Sequence, residues 1–195
     1  DCIDIMQVHS VPTNFLRNDL LTTLRGFKTL GYIRFIGATT YGEDAALQAL
    51  NSDHIDCLQV AYNLVDREME TQVLPLVQRR DIGIIARSVL LRGALTRRYT
   101  TAPPSLQELR LLLGDLDDIA FTENMTLPEL AYHFILSNQI VSTALVGTAN
   151  ITELQNIVDW SERHYTEPLH PDVLTTIRFH QLQDRNQLNL EGWSI

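Results

Sequence analysis

Short apolar runs alternate with longer amphipathic stretches from one end of the chain to the other. The run Ile3–His9 (IDIMQVH) predicts a first strand, and Phe15–Leu30 predicts a helix with Leu16, Leu20, Leu24 and Phe27 on one face. Gly31 stands where a helix C-cap glycine belongs. Ile33–Ala38 (IRFIGA) predicts a second, buried strand, with a short helix around Glu43–Leu50 behind it. A third strand, Ile55–Tyr62 (IDCLQVAY), leads to a helix over Glu68–Arg80, and Ile82–Ser88 (IGIIARS) reads as a fourth strand.

An irregular stretch, Val89–Pro104, precedes a helix from about Ser105. Thr126, Pro128 and Glu129 form a capping-box pattern that opens a helix to about Leu136. Val141–Val146 predicts a fifth strand. Asn150 with Glu153 starts a helix to about His164, and Pro171 opens a last one toward Gln183. No linker or low-complexity segment divides residues 1–195, so the chain reads as a single domain.

Strand–helix repetition implies parallel strands joined by right-handed crossovers. Two architectures satisfy it: an open doubly wound sheet, or part of a (β/α)8 barrel. The absence of a glycine-rich phosphate fingerprint after any strand favours the barrel. A barrel has eight strands in about 250 residues, and only five strands are read here. Such an arc leaves two raw edges, so either it belongs to a larger barrel or a partner completes its core.

Charge and composition then narrow the function classes. The net charge of −9 disfavours nucleic acid and anionic membranes as partners. No apolar run approaches the roughly 18 residues of a membrane span, and DCIDIMQVHS lacks the basic leader of a signal peptide. Cys2 and Cys57 stand alone, the pattern of two buried, reduced thiols in a cytoplasmic protein. His54, His133, His164, His170 and His180 show no metal-ligand spacing, and Tyr41, Tyr62 and Trp160 read as packing residues.

Five segments, taken in order, resemble the aldo/keto reductase superfamily. IDIMQVH resembles its strand-four pattern ending in a catalytic histidine. GYIRFIGATTY (Gly31–Tyr41) is similar to G-K-I-R-x-I-G-x-S-N-F at strand five, and LQVAYNLVDRE (Leu58–Glu68) to Q-x-x-Y-N-L-x-x-R at strand six. GIIARSVLLRGALTRRY (Gly83–Tyr99) resembles G-V-x-A-Y-S-P-L-x-x-G-x-L-T-x-x-Y, and STALVGTANITEL (Ser142–Leu154) resembles S-x-x-I-P-G-x-x-x-x-x-x-L. The resemblance covers roughly Asp1–Asp159. It implies an α/β fold, an incomplete (β/α)8 TIM barrel comprising strands four to eight with their helices. The first three strand–helix units are absent.

The same resemblance implies NADP(H) or NAD(H) as cofactor and a small carbonyl compound as substrate. His9 matches the histidine that holds the carbonyl oxygen, a task a neutral imidazole performs with one hydrogen bond. Thr39, Thr40 and Gln59 match the residues that face the nicotinamide carboxamide, although the family carries Ser-Asn where Thr39-Thr40 stand. Gln59 equally suits a satisfied core amide. Arg87 replaces an aromatic that stacks on the nicotinamide ring; its guanidinium can stack but adds a fixed positive charge. Ser88, Leu90 and Arg92 match the loop along the pyrophosphate, with a surface ion pair as the other reading of Arg92. Gly147 and Thr148, leading through Asn150 into a helix, match a phosphate-binding loop or a plain helix cap. No Lys or Arg lies between Val146 and Trp160; Glu153 and Asn156 stand there instead, so a preference for a 2′-phosphorylated cofactor is not visible.

The family's proton-donating tyrosine, its lysine and its aspartate belong to strands two and three, and none has a counterpart here. The expectation is a truncated oxidoreductase with negligible activity as an isolated chain. Two other readings are a non-catalytic binding or regulatory subunit, and half of a split barrel, with homo-oligomerisation or a completing chain covering the open edges.

Overall fold

A computed structural model describes residues 1–9, 18–190 and 193. The elements follow the strand–helix order: β1 (Ile3–Val8), α1 (Asn18–Thr29), β2 (Ile33–Thr39), α2 (Glu43–Leu50), β3 (Cys57–Ala61), α3 (Val73–Arg80) and β4 (Gly83–Arg87). After short 3-10 turns come α4 (Gln107–Thr122), α5 (Leu127–Leu136), β5 (Val141–Ala144), α6 (Ile151–Thr166) and α7 (Pro171–Phe179). The chain forms two compact units. One comprises Asp1–Ala61, Glu68–Arg87 and Ile140–Thr143; the other comprises Tyr62–Arg67, Ser88–Gln139 and Ala144–Ile195.

The first unit holds the sheet, ordered β1-β2-β3-β4-β5. Pairing is parallel from β1 to β4, with Gln7 opposite Gly37, Thr39 opposite Gln59, and Ala61 opposite Arg87. Side chains alternate between faces. Ile36, Ala38, Leu58, Val60, Ile84 and Ala86 are buried, and Leu21, Leu24, Ala49, Leu50, Leu74 and Val77 of the helices complete that core. Asp56 ties the layers, its carboxylate accepting from Lys28 Nζ at 2.6 Å and from the Ile36 amide at 2.8 Å. On the other face β2 and β3 approach so closely at Gly37 that a Cβ would lie 2.6 Å from Cys57 Sγ and 3.0 Å from Gln7 Cγ. Only glycine fits there. At the β1 end of the sheet Ile3, Ile5, Met6 and Phe35 are exposed.

The second unit is built around α5, buried along most of its length between α4 and α6. Its capping box is formed as the sequence predicts: Thr126 Oγ accepts from the Glu129 amide and the Glu129 carboxylate accepts from the Thr126 amide, each at 3.4 Å. Glu129 also pairs with Arg163 of α6 at 2.9 Å. On α6 the apolar side chains of Ile151, Leu154 and Val158 are exposed.

Four sequence expectations need correction. Leu21 and Leu24, rather than Leu20 and Phe27, enter the core of α1, while Leu16 lies outside the described residues. Two apolar rows share Leu24, and periodicity cannot choose between them. The helix expected over Glu68–Arg80 splits into a 3-10 turn, Glu68–Glu70, and α3. Pro75 lacks an amide and clashes with a preceding turn, so it is confined to the first turn of α3. Cys2 is exposed because β1 is an edge strand, whereas Cys57 is buried. Tyr41 is exposed rather than packed.

Candidate functional site

Parallel pairing brings the C-terminal ends of β1 to β4 to one edge of the first unit. His9 follows β1 there and is exposed. Thr39 ends β2, and its hydroxyl donates to Gln7 Oε1 at 3.2 Å. Gln59 sits half-buried opposite Thr39 in the ladder. Thr40 is buried, and its hydroxyl oxygen has no hydrogen-bond partner among the described residues. Such an orphan is expensive unless a ligand group meets it. Arg87, at the end of β4, donates from Nη2 to the Thr40 carbonyl at 3.2 Å. Its guanidinium carbon lies 4.2 Å from the centroid of the Tyr41 ring. Arg87 therefore makes its aromatic contact within the protein, at the position where the resemblance implies stacking on a cofactor.

The second unit contains a cavity of about 730 Å³. Six residues expected at a cofactor line it: Ser88, Leu90 and Arg92 from the stretch after β4, and Gly147, Thr148 and Asn156 from the stretch after β5. The sequence did not single out three others on its wall: Thr96, Arg98 and Tyr132. Trp160, expected to pack, lines the cavity with its ring 5.9 Å from that of Tyr132. Burial pushes the Tyr132 phenol up to about 12, so it stays protonated and serves as a wall.

The backbone of the β4 exit is strained. Ser88, Leu91 and Arg92 adopt φ of 59°, 44° and 53°, a region that costs a non-glycine residue about 1–3 kcal/mol. Asn63 holds this turn. Fully buried, it accepts from the amides of Val65 and Asp66 at 3.0 and 2.9 Å and donates to the Ser88 carbonyl at 3.0 Å. Its place in the Tyr62-Asn63-Leu64 motif was the only sequence signal for this role. On the other stretch, Thr148 Oγ accepts from the Asn150 amide at 3.0 Å and hydrogen-bonds the Glu153 carboxylate. Asn150 Oδ1 caps α6 by accepting from the Thr152 amide at 2.9 Å.

These groups form a donor set suited to a dinucleotide. Arg92 and Arg98 reach the cavity wall without an ion-pair partner among the described residues, and phosphate oxygens need such cations. Tyr132 and Trp160 offer flat apolar surface, and Thr148 and Asn156 offer hydrogen bonds for ribose hydroxyls. Among the described residues no cluster of three or more His, Cys, Asp or Glu could hold a metal, and no helix is long and apolar enough to cross a membrane.

A sequence profile described as the aldo/keto reductase family matches residues 1–173. The chain is 36% identical over 166 residues to an NADH-specific methylglyoxal reductase of Escherichia coli (strain K12), covering 75% of this chain and 50% of that protein. It is 27% identical over 198 residues to a pyridoxal 4-dehydrogenase of Microbacterium luteolum, covering 90% and 56%. The solved holo form of an aldo-keto reductase from Bacillus halodurans matches with a TM-score of 0.78 at 24% identity, over 92% of this chain and 59% of that one. The chain spans about half the length of the curated relatives it matches.

Proposed function

The chain belongs to the aldo/keto reductase family and has its barrel-type α/β fold, and on that premise we propose that it carries strands four to eight of an NAD(P)H-dependent carbonyl reductase. The observation that carries this reading is the cavity lined by Ser88, Leu90, Arg92, Gly147, Thr148 and Asn156. Two features support the strand assignment. The family motifs run in order along the chain, and both ends of the sheet, β1 and β5, are edge strands, with exposed apolar residues on β1.

When bound, the dinucleotide supplies a hydride to a carbonyl carbon. Arg92 and Arg98 offset the charge of its phosphates, while Tyr132 and Trp160 exclude water from one wall. By resemblance to the family motifs, Thr39, Thr40 and Gln59 would face the carboxamide, and the Thr40 hydroxyl is an orphan in need of a partner. His9 donates a hydrogen bond to the oxygen of a small carbonyl substrate. No tyrosine–lysine–aspartate set stands beside it in the matched motifs, so the 195 residues alone turn over negligibly.

A non-catalytic binding or regulatory role is the second reading. It is favoured by Arg87, whose guanidinium engages Tyr41 and the Thr40 carbonyl.

Titration of NADH and NADPH into the 195-residue chain, followed by tryptophan emission and by aldehyde-dependent cofactor oxidation, tests the proposal. The expected result is saturable quenching that Trp160→Phe abolishes, without oxidation. Failure to quench contradicts the binding reading, and steady oxidation contradicts the inactive one.

A further inference from the structure

We infer that the buried imidazoles of His133 and His164 form an acid-sensitive latch on the cavity wall. While both are neutral they hold α6 against α5; a proton on either loosens the wall that Tyr132 and Trp160 share. The latch stands on the packing of the two helices, and its effect on a dinucleotide rests on the cofactor reading above.

The two helices are anchored unequally. Most of α5 is buried, whereas α6 buries only two side chains, Ile157 and His164. Ile157 lines the cavity. His164 packs edge to face on His133, with ring centroids 5.2 Å apart. The aromatic wall is the next layer of the same interface: Tyr132 adjoins His133 in sequence, and Trp160 lies one turn before His164. Their rings are 5.9 Å apart. A shift of His164 away from α5 therefore carries Trp160 with it.

Both ring nitrogens of His133 and Nδ1 of His164 are without hydrogen-bond partners among the described residues, so an added proton there finds no acceptor. A buried charge in that state is expensive, and exposing the ring to water relieves it. The charged groups facing the pair are Arg163 and Glu167, with Glu129 of α5 paired to Arg163 at 2.9 Å. The Tyr165 ring also meets His164. On α4, the other helix packed on α5, Asp115 and Asp118 are exposed and Asp117 accepts from Tyr99. Burial, then His164 and Arg163, holds His133 down at about 4, and burial lowers His164 as well. An opened pair titrates near the ordinary 6.5, so the closed form is fully favoured above that value and loses ground as pH falls toward 4.

Calorimetric titration of the full chain with ADP-ribose, whose pyrophosphate charge is constant between about pH 7.5 and pH 5, tests the inference without turnover. Affinity is expected to be level above about pH 6.5 and to weaken about five- to tenfold by pH 5. The double change His133→Phe with His164→Phe keeps flat rings and removes the titrating nitrogens, and is expected to flatten the profile. In the wild type, by reciprocity, saturating ADP-ribose is expected to shift the imidazole proton resonances of the pair to a lower titration midpoint. A wild-type affinity that stays level to pH 5 overturns the latch, as does a fall that the double variant reproduces or a midpoint that ligand leaves unmoved. Absence of ADP-ribose binding at every pH overturns the cofactor reading. The latch is then decided by acrylamide quenching of Trp160 in a Trp193→Phe chain: quenching that rises below about pH 6.5 upholds it, and quenching independent of pH overturns it.

Discussion

The imidazole rings of His133 on α5 and His164 on α6 meet edge to face, with centroids 5.2 Å apart and planes at 74°. Both side chains are buried; neither ring nitrogen of His133 has a hydrogen-bond partner among the described residues, nor has Nδ1 of His164. Arg163 and Glu167 face the pair, and Glu129 approaches through Arg163. Burial first, then His164 and Arg163, pulls His133 down to about 4 from its ordinary 6.5, and burial also lowers His164. Because the folded-state value is depressed, the unfolded chain binds protons more readily between those limits, and stability falls as pH drops from 6.5 toward 4. For His133 the loss reaches up to about 3 kcal/mol. Urea midpoints across this range are expected to fall for the wild type and to fall less steeply for His133→Phe. Parallel slopes contradict the assignment.

Asn63 supports the cavity from behind. Asn63→Ala leaves the Val65 and Asp66 amides and the Ser88 carbonyl without their present partner. At about 1 kcal/mol per hydrogen bond, the expected cost is about 2–3 kcal/mol. Dinucleotide affinity is expected to weaken as well, since Ser88 begins the cavity wall. A chemical denaturation curve matching the wild type contradicts this role.

Arg92 occupies the left-handed region at φ 53° and ψ 26°. Arg92→Gly relieves that strain, with a stability gain of up to about 1 kcal/mol once the greater freedom of glycine in the unfolded chain is offset. The same change removes a cation from the cavity and is expected to weaken ADP-ribose binding several-fold. Gain in stability with loss of affinity is the signature to seek. Loss of both points to a structural role for the guanidinium.

Ile5 and Phe35 lie on the same face of paired strands at the exposed end of the sheet. An apolar edge of this kind promotes association. Sedimentation is expected to show concentration-dependent self-association of the 195-residue chain, reduced by the double change Ile5→Lys and Phe35→Lys. A wild type that stays monomeric at all concentrations contradicts it.

What the sequence made legible was local chemistry and order. The capping box at Thr126 and Glu129 is a short-range pattern with its own mechanism, and it is formed. The parallel strands follow from alternating periodicities, and the residues picked out by family motifs in the loops after β4 and β5 line one cavity. Other features depend on tertiary contacts. Trp160 reads as a packing residue in the sequence, and only the fold puts it on a cavity wall beside Tyr132. The left-handed turn at Ser88, Leu91 and Arg92 is invisible because none of these residue types favours it. Arg87 reads as a departure from the family pattern, but its contact with Tyr41 appears only once β2 and β4 share a sheet.

The most direct test of the central claim is to follow backbone amide resonances of the 195-residue chain during titration with NADH. The account predicts saturable shifts concentrated in Ser88–Gly93 and Gly147–Asn156. Shifts confined to other segments, or none at all at saturating ligand, contradict a dinucleotide site in this cavity.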